Sequence, residues 1–124
     1  MIVKIIPSPE FNRRFKRLAK KYRSLALDYL TLSESLKNNP FQGDDLGGGV
    51  RKVRMAISSK GKGKSGGARV LTLNVLVDEN ANVTLLTIYD KNEIDNVSDE
   101  YLSWLISNNG QERKQHPLGL PLYG

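Results

Sequence analysis

The sequence predicts a small α+β domain, a mainly antiparallel sheet packed against an N-terminal helical hairpin with one more helix at the C-terminal end, in the order β-α-α-β-β-β-α. Three observations predict it. Two apolar stripes at helical spacing follow each other between residues 8 and 40. Three apolar or alternating runs, separated by Gly- and Asn-containing turns, fill residues 50 to 90. A chain of 124 residues is long enough for one core but not two. The expected organisation is a single domain over residues 1–110 and a tail over 111–124.

IVKII opens as a β-rich run. Ser8-Pro9-Glu10 then signals a helix start, because Ser can cap free N–H groups, Pro fits the first position, and Glu suits the positive end of the dipole. Phe11, Phe15, Leu18 and Tyr22 form the apolar stripe of this helix, with Arg13, Arg14, Lys16, Arg17, Lys20, Lys21 and Arg23 around it. After Ser24 a second stripe, Leu25, Tyr29, Leu32 and Leu36, runs to a stop before Pro40. The short connection makes the two helices a hairpin.

Residues Asn38 to Gly49, NNPFQGDDLGGG, are turn-rich and read as a linker without regular structure. VRKVRMAIS alternates Val53, Met55 and Ile57 with Lys52, Arg54, Ala56 and Ser58, a strand with one core face and one basic face. RVLTLNVLVD is nearly all apolar and reads as the central strand, and the turn at Glu79–Asn82 leads into NVTLLTIYD, giving two successive hairpins. DKNEIDNVS reads as a loop or helical turn. Ser98-Asp99-Glu100 starts a final helix carrying Tyr101, Leu102, Trp104, Leu105 and Ile106, with Gly110 as its stop.

Charge is unevenly divided. Residues 1–69 hold 16 Lys and Arg against 5 Asp and Glu, and residues 70–124 hold 3 against 8, which together make the net charge of +6. The first half is therefore expected to build an electropositive surface suited to phosphates. Several chemistries lack their residues. Without cysteine there is no thiol nucleophile, thiolate metal site or disulfide. His116 is the only histidine and sits beside Pro117 in the tail, which gives no basis for a Ser/His/Asp triad or a His metal cluster. Asp44-Asp45 and Asp90, Glu93 and Asp95 read as solvated or capping carboxylates rather than metal ligands. No apolar run is long enough to span a bilayer, and MIVKIIPSPE lacks the apolar stretch of a secretory signal, so the expected location is the cytoplasm.

The loop between the first two hairpin strands, SSKGKGKSGGARV, contains a Gly-Lys-Ser but not a P-loop. That motif needs a glycine where Ser58 stands, and a helix where RVLTLNVLVD continues as a strand. What the loop offers is cations on a backbone without Cβ bulk: Lys60, Lys62 and Lys64, then Arg69, beside Lys52 and Arg54 of the preceding strand. Such a loop can approach a polyanion closely and set a lysine against each phosphate. A lysine crowded by other cations has its ammonium form disfavoured and can serve as a base, while arginine forks hold charge developing on phosphorus.

The combination GGVRKVRMAISSKGKGKSGGARVLTLNV followed by LLTIYDKNEIDNVS resembles the RelE/HigB branch of the RelE/ParE superfamily, toxins of bacterial type II toxin-antitoxin pairs. The shared marks are the KGKGKSGG-x-RV block and the Y-x-KNE block, and the match runs over about residues 48 to 100. The resemblance implies a metal-independent, cofactor-free endoribonuclease that cuts mRNA in the ribosomal A site by attack of the 2′-hydroxyl on the adjacent phosphate, so inhibiting translation. Its implied partners are mRNA, rRNA and a cognate antitoxin that wraps it, with operator DNA bound only as the toxin-antitoxin complex and no membrane. An acidic and apolar antitoxin segment would suit a cationic groove with exposed sheet edges.

Residue by residue, Arg69 matches the family's phosphate-stabilising arginine. Lys62 and Lys64 fall where the family places basic residues that hold the message and assist proton transfer, and the pattern does not divide those roles between them. Tyr89, at a strand end on the loop's side of the sheet, is the better positioned match for the family's catalytic tyrosine, with Tyr101 the other tyrosine of this half. Asn92 stands where the best-known relatives carry arginine, with Lys91 beside it. Lys52, Arg54, Lys60, Lys91, Arg13, Arg17 and Lys20 are the expected RNA- or ribosome-binding cations. Two alternatives remain on these residues: a ParE-like gyrase inhibitor, which shares the fold but lacks the basic cluster, and a non-enzymatic basic RNA-binding module.

Overall fold

A computed structural model of the chain describes residues 1–108. The tail, with Gly110 and His116, lies outside the described residues. Strand β1 (Val3–Pro7) leads into α1 (Pro9–Lys21) and α2 (Leu25–Asn38). There follow β2 (Asp44–Gly47), β3 (Val50–Met55), a 3₁₀ turn at Ser58–Lys60, β4 (Ala68–Val77), β5 (Asn80–Asp90) and α3 (Asp99–Asn108).

The strands form one sheet in the order β1-β5-β4-β3-β2, so RVLTLNVLVD is its central strand as its apolar run predicts. The β3–β4 and β4–β5 pairs are the two expected antiparallel hairpins. β1 pairs parallel to β5, from Val3 opposite Ala81 to Pro7 opposite Leu85, which makes the sheet mixed. After the helical hairpin the chain enters at the far edge and fills the sheet inward, so β5 arrives beside β1 running the same way.

The linker reading of Asn38–Gly49 needs correction, because β2 lies inside it. Asp44 stands opposite Lys52 and Asp45 opposite Arg51, and the register shifts before Gly47. Strand pairing uses backbone groups that a propensity reading does not weigh, and side chains reinforce it here. The Asp45 carboxylate accepts the Gly47 N–H at 2.8 Å and lies 3.8 Å from Arg51 Nη2.

The helix signals are realised. The Ser8 hydroxyl accepts the Phe11 N–H at 3.1 Å and donates to the Leu86 carbonyl at 3.0 Å, capping α1 while tying it to β5. Ser98 caps α3 through the Tyr101 N–H at 3.1 Å. Phe11, Leu18, Leu25, Leu32 and Leu36 press onto Val53, Met55, Val70, Val83, Leu85 and Ile88 to form the larger core. Each fully buried leucine contributes about 2 kcal/mol. On the opposite face, Val50, Leu71, Leu86 and Tyr89 meet Tyr101 and Leu105 of α3 in a smaller core.

β1 ends at Pro7, and beyond it the first turn of α1 covers the edge of β5, where the Ser8 N–H donates to the Leu85 carbonyl at 3.0 Å. There Glu10 accepts the Tyr101 hydroxyl at 2.5 Å and pairs with Arg13 at 2.6 Å, while Tyr101 also meets Thr87 Oγ1 at 2.8 Å. This buried network links α1, β5 and α3. Burial pushes the Tyr101 pKa strongly upward, so its hydroxyl keeps its proton.

Candidate functional site

Side chains alternate across a sheet, and the two cores fix the direction of alternation. Val53, Val70 and Ile88 are register partners facing the helical hairpin. One residue along, Arg54, Arg69 and Tyr89 are register partners on three adjacent strands, on the face that carries α3. The structure therefore sets two arginines and a tyrosine in one row at the strand ends nearest the Lys-Gly loop.

Arg69 is 7 % exposed. Its Nη1 donates to the carbonyls of Lys64 and Ala68, both at 3.1 Å, and its Nη2 to that of Ser65 at 3.1 Å. The guanidinium thus braces the end of the loop from beneath. Three of its five N–H donors are engaged, which leaves two for another acceptor. Arg54 beside it is exposed and forms no ion pair among the described residues. Tyr89 is 3 % exposed, yet its hydroxyl has no hydrogen-bond partner among the described residues. Burial raises the Tyr89 pKa and the charge of Arg69 partly offsets this, so the phenol is protonated at neutral pH. A buried hydroxyl without a partner costs about 1–3 kcal/mol, which makes it the least satisfied group of the row.

Lys62 and Lys64 are exposed, and neither is paired among the described residues. The loop that carries them has a defined path. Gly61 and Gly63 adopt positive φ of 72° and 64°, and a Cβ on Gly67 would lie 2.2 Å from the Met55 carbonyl oxygen, so only glycine fits there. Lys64 and Arg54 together line a cleft of about 120 Å³ against Asp28, Leu32 and Met55 of α2 and β3. With Lys52 they also line a neighbouring cleft of about 170 Å³ along β3. Arg54, Arg69 and Tyr89 thus form one row across the sheet end, and Lys52, Arg54 and Lys64 meet along β3 beside α2, with Lys62 in the same loop as Lys64. Lys91 is exposed, and its N–H donates to the Gly67 carbonyl at 3.2 Å, which brings it beside the loop's end.

The remaining sequence-derived cations are placed differently. Lys60 is drawn inward: its side chain is 7 % exposed, its Nζ lies 2.9 Å from Asp90 Oδ1 and 5.4 Å from the centre of the Tyr22 ring. Arg13 pairs with Glu10. Arg17 and Lys20 are exposed on α1, across the sheet from Arg69 and Tyr89, and Lys20 shares an open cleft with Lys21, Arg23 and Ser59.

Sequence reasoning missed the carboxylates beneath the loop. Asp90, expected to be solvated or capping, is 0 % exposed. It accepts Lys60 Nζ and the Asn92 N–H at 2.9 Å each and the Tyr22 hydroxyl. Burial works to raise its pKa, but the hydrogen bonds from Tyr22 and Asn92 and the charge and hydrogen bond of Lys60 outweigh it and hold the carboxyl below its ordinary value. Asp28 accepts the Ser58 N–H at 3.0 Å and the hydroxyls of Ser58 and Ser24 at 2.5 and 2.7 Å, pinning the start of the loop to α2. Asp28 lies on a helix whose pattern reads as apolar stripe plus solvent face, and nothing in that pattern signals its long-range partners.

Among the described residues no group of three or more His, Cys, Asp or Glu side chains comes together, and no helix is long and apolar enough to cross a membrane. A cationic loop braced by one arginine of an arginine-tyrosine row offers groups that can bind phosphate oxygens, stabilise added negative charge on phosphorus and donate a proton from the phenol. The family comparison agrees with the block of residues that builds this site: a model for the RelE toxin of the RelE/RelB toxin-antitoxin system matches residues 11–113. The match takes in both helices of the hairpin, the Lys-Gly loop and every strand from β2 to β5, and the chain belongs to this family of toxins, whose members act as one half of a toxin-antitoxin pair.

Proposed function

We propose that the chain is a ribosome-dependent mRNA endonuclease that inhibits translation by cutting message in the A site. The observation that carries this reading is the row Arg54–Arg69–Tyr89 beside a loop whose Lys62 and Lys64 have no partner among the described residues, where the buried tyrosine hydroxyl has none either. Lys62, Lys64, Lys52 and Arg54 supply charge to the RNA backbone, and Arg69, held rigid by three carbonyls, offers its two remaining donors to the non-bridging oxygens of one phosphate. Lys91 extends the cationic surface beside the loop's end, and Arg17 and Lys20, across the sheet, offer a separate basic surface to rRNA.

The reaction is an intramolecular transesterification. The ribose 2′-oxygen forms a bond to phosphorus as the bond from phosphorus to the 5′-oxygen breaks. The 2′-hydroxyl proton passes to a base, for which Lys62 and Lys64 are the candidates, and the leaving 5′-oxygen takes a proton from the Tyr89 phenol. Products are a 2′,3′-cyclic phosphate and a 5′-hydroxyl. A tyrosine with a raised pKa suits the acid role because it reaches the reaction protonated. Additional negative charge on the phosphoryl oxygens in the transition state is what the arginine row stabilises.

The test is a reconstituted translation system with a defined message, new 5′ ends mapped by primer extension, and Arg69→Ala and Tyr89→Phe run beside the wild-type chain. Cleavage within codons that requires ribosomes and fails in both variants supports the proposal. Absence of wild-type cleavage, with altered DNA supercoiling when the chain is expressed, would replace it by gyrase inhibition. RNA retention without cleavage or supercoiling change would leave a basic binding module.

A further inference from the structure

Three segments around the Lys-Gly loop converge on one buried carboxylate. Asp90 follows Tyr89 directly and stands opposite Ala68, the residue before Arg69. Its Oδ1 accepts Lys60 Nζ and the Asn92 N–H, each at 2.9 Å. Its Oδ2 accepts the hydroxyl of Tyr22 at the end of α1, with Lys21 Nζ 4.0 Å away. Lys60 is the last residue of the 3₁₀ turn and the last before the glycines that swing Lys62 and Lys64 outward. The chain after β5 returns to the far end of the same loop, through the bond from the Lys91 N–H to the Gly67 carbonyl at 3.2 Å.

Both members of the ion pair are almost wholly withdrawn from water, with side chains 7 % and 0 % exposed. A buried pair of this kind is weak ground for stability, since apolar residues of similar volume often serve as well. Its effect is on geometry: with its ammonium 2.9 Å from Asp90 and against the Tyr22 ring, Lys60 fixes where its backbone runs. Serving stability alone, an apolar pair would be equivalent; serving geometry, it would not.

Resting on the mRNA-cleavage reading, we infer that Asp90 is a positioning residue for that reaction, acting through Lys60 and with Tyr22 to fix the start of the loop so that Lys62 and Lys64 stand over Arg69 and Tyr89. Lys60 is on this account an internal strut and not an RNA contact. The cations that bind message are untouched by removal of the pair, so the loss falls on turnover rather than on binding. Displacement of a reacting group by about an ångström costs up to about 100-fold in rate.

The experiment measures kcat and KM for cleavage of programmed ribosomes, with thermal unfolding alongside, for the wild-type chain, Asp90→Asn and the double variant Lys60→Met/Asp90→Leu. Asp90→Asn keeps an acceptor for the Asn92 N–H but leaves the Lys60 charge uncompensated, and is expected to lose both stability and turnover. The double variant removes both charges but also the acceptor of the Tyr22 hydroxyl and the Asn92 N–H, and is expected to unfold between Asp90→Asn and the wild-type chain while kcat falls about 10- to 100-fold and KM changes less than about threefold. That split supports the inference, because a merely structural pair would restore kcat together with stability. Undiminished kcat in a folded double variant overturns it, as does undiminished kcat in Asp90→Asn should the double variant fail to fold. A wild-type chain that cuts no message under these conditions overturns the cleavage reading itself and takes the inference with it.

Discussion

The two faces of the sheet are built to opposite standards. Under the helical hairpin, Leu25, Leu36, Val70, Leu85 and Ile88 are wholly buried and apolar, and α1 enters with its capping hydroxyl satisfied on both sides. On the other face a short helix covers only part of the sheet, and at the loop end lie adjacent arginines and a tyrosine hydroxyl with no partner among the described residues. Placing Arg54 opposite Arg69 is unfavourable for folding, since like charges directly across strands repel. The first face supplies the stability that the second forgoes. That division is expected where a site must meet a polyanion it does not itself contain.

The largest effect should come from breaking the stable face. Leu25→Ala removes a fully buried side chain from the larger core and is expected to lower unfolding stability by about 2–5 kcal/mol, read by denaturant titration. The same titration on Arg54→Ala is expected to show little loss or a gain of up to about 1 kcal/mol, because an exposed like-charge neighbour of Arg69 disappears. A larger loss in Arg54→Ala than in Leu25→Ala would erase the contrast between faces.

Arg69→Ala comes next. It removes both the loop's brace and the donors left for a phosphate, and is expected to lower ribosome-dependent cleavage about 100- to 1000-fold. Tyr89→Phe sharpens the comparison further, because it deletes one oxygen that has no hydrogen-bond partner among the described residues. Unfolding stability should be unchanged or higher by about 1 kcal/mol, while cleavage falls about 10- to 100-fold. A variant that loses stability and keeps its rate would make Tyr89 an ordinary strand aromatic.

How much of this the sequence disclosed follows from what each signal depends on. The hairpin helices, the central strand and both strand hairpins are written in apolar periodicity, and their caps in single residues such as Ser8 and Ser98. That Arg69 sits against the lysine-glycine loop was legible because it follows the loop directly at the start of a strand. β2 was not, since its pairing to β3 rests on backbone groups and its Asp-Asp-Leu-Gly residues favour turns. Nor was the network under the loop. Tyr22 and Asp90 are 68 positions apart and Glu10 and Tyr101 are 91 apart, so neither contact leaves a local pattern. The same blindness grouped Lys60 with Lys62 and Lys64, although spacing by two on a loop says nothing about which ammonium turns inward.

Salt dependence separates those three lysines. For binding to single-stranded RNA, each phosphate neutralised adds about 0.7 to the slope of log K against log salt, so Lys62→Ala and Lys64→Ala should each reduce the slope by about that amount. Lys60→Met should leave the slope unchanged, since its charge already faces Asp90. Equal reductions for all three would mean that Lys60 leaves Asp90 to meet the message.

The smallest effect concerns pH. Asp90 is held below its ordinary value near 3.8, so the folded chain binds its proton less readily than the unfolded chain does. The stability that follows is fully present above that ordinary value and is lost as pH falls through it toward the depressed folded-state value. Unfolding measured from neutral pH down to about pH 3 should therefore show acid destabilisation that is shallower in Lys60→Met/Asp90→Leu than in the wild-type chain. Leu25→Ala should lower the whole curve and leave its slope alone, because the hairpin face loses packing there and no titrating group. If the wild-type slope survives in the double variant, the acid sensitivity does not come from Asp90.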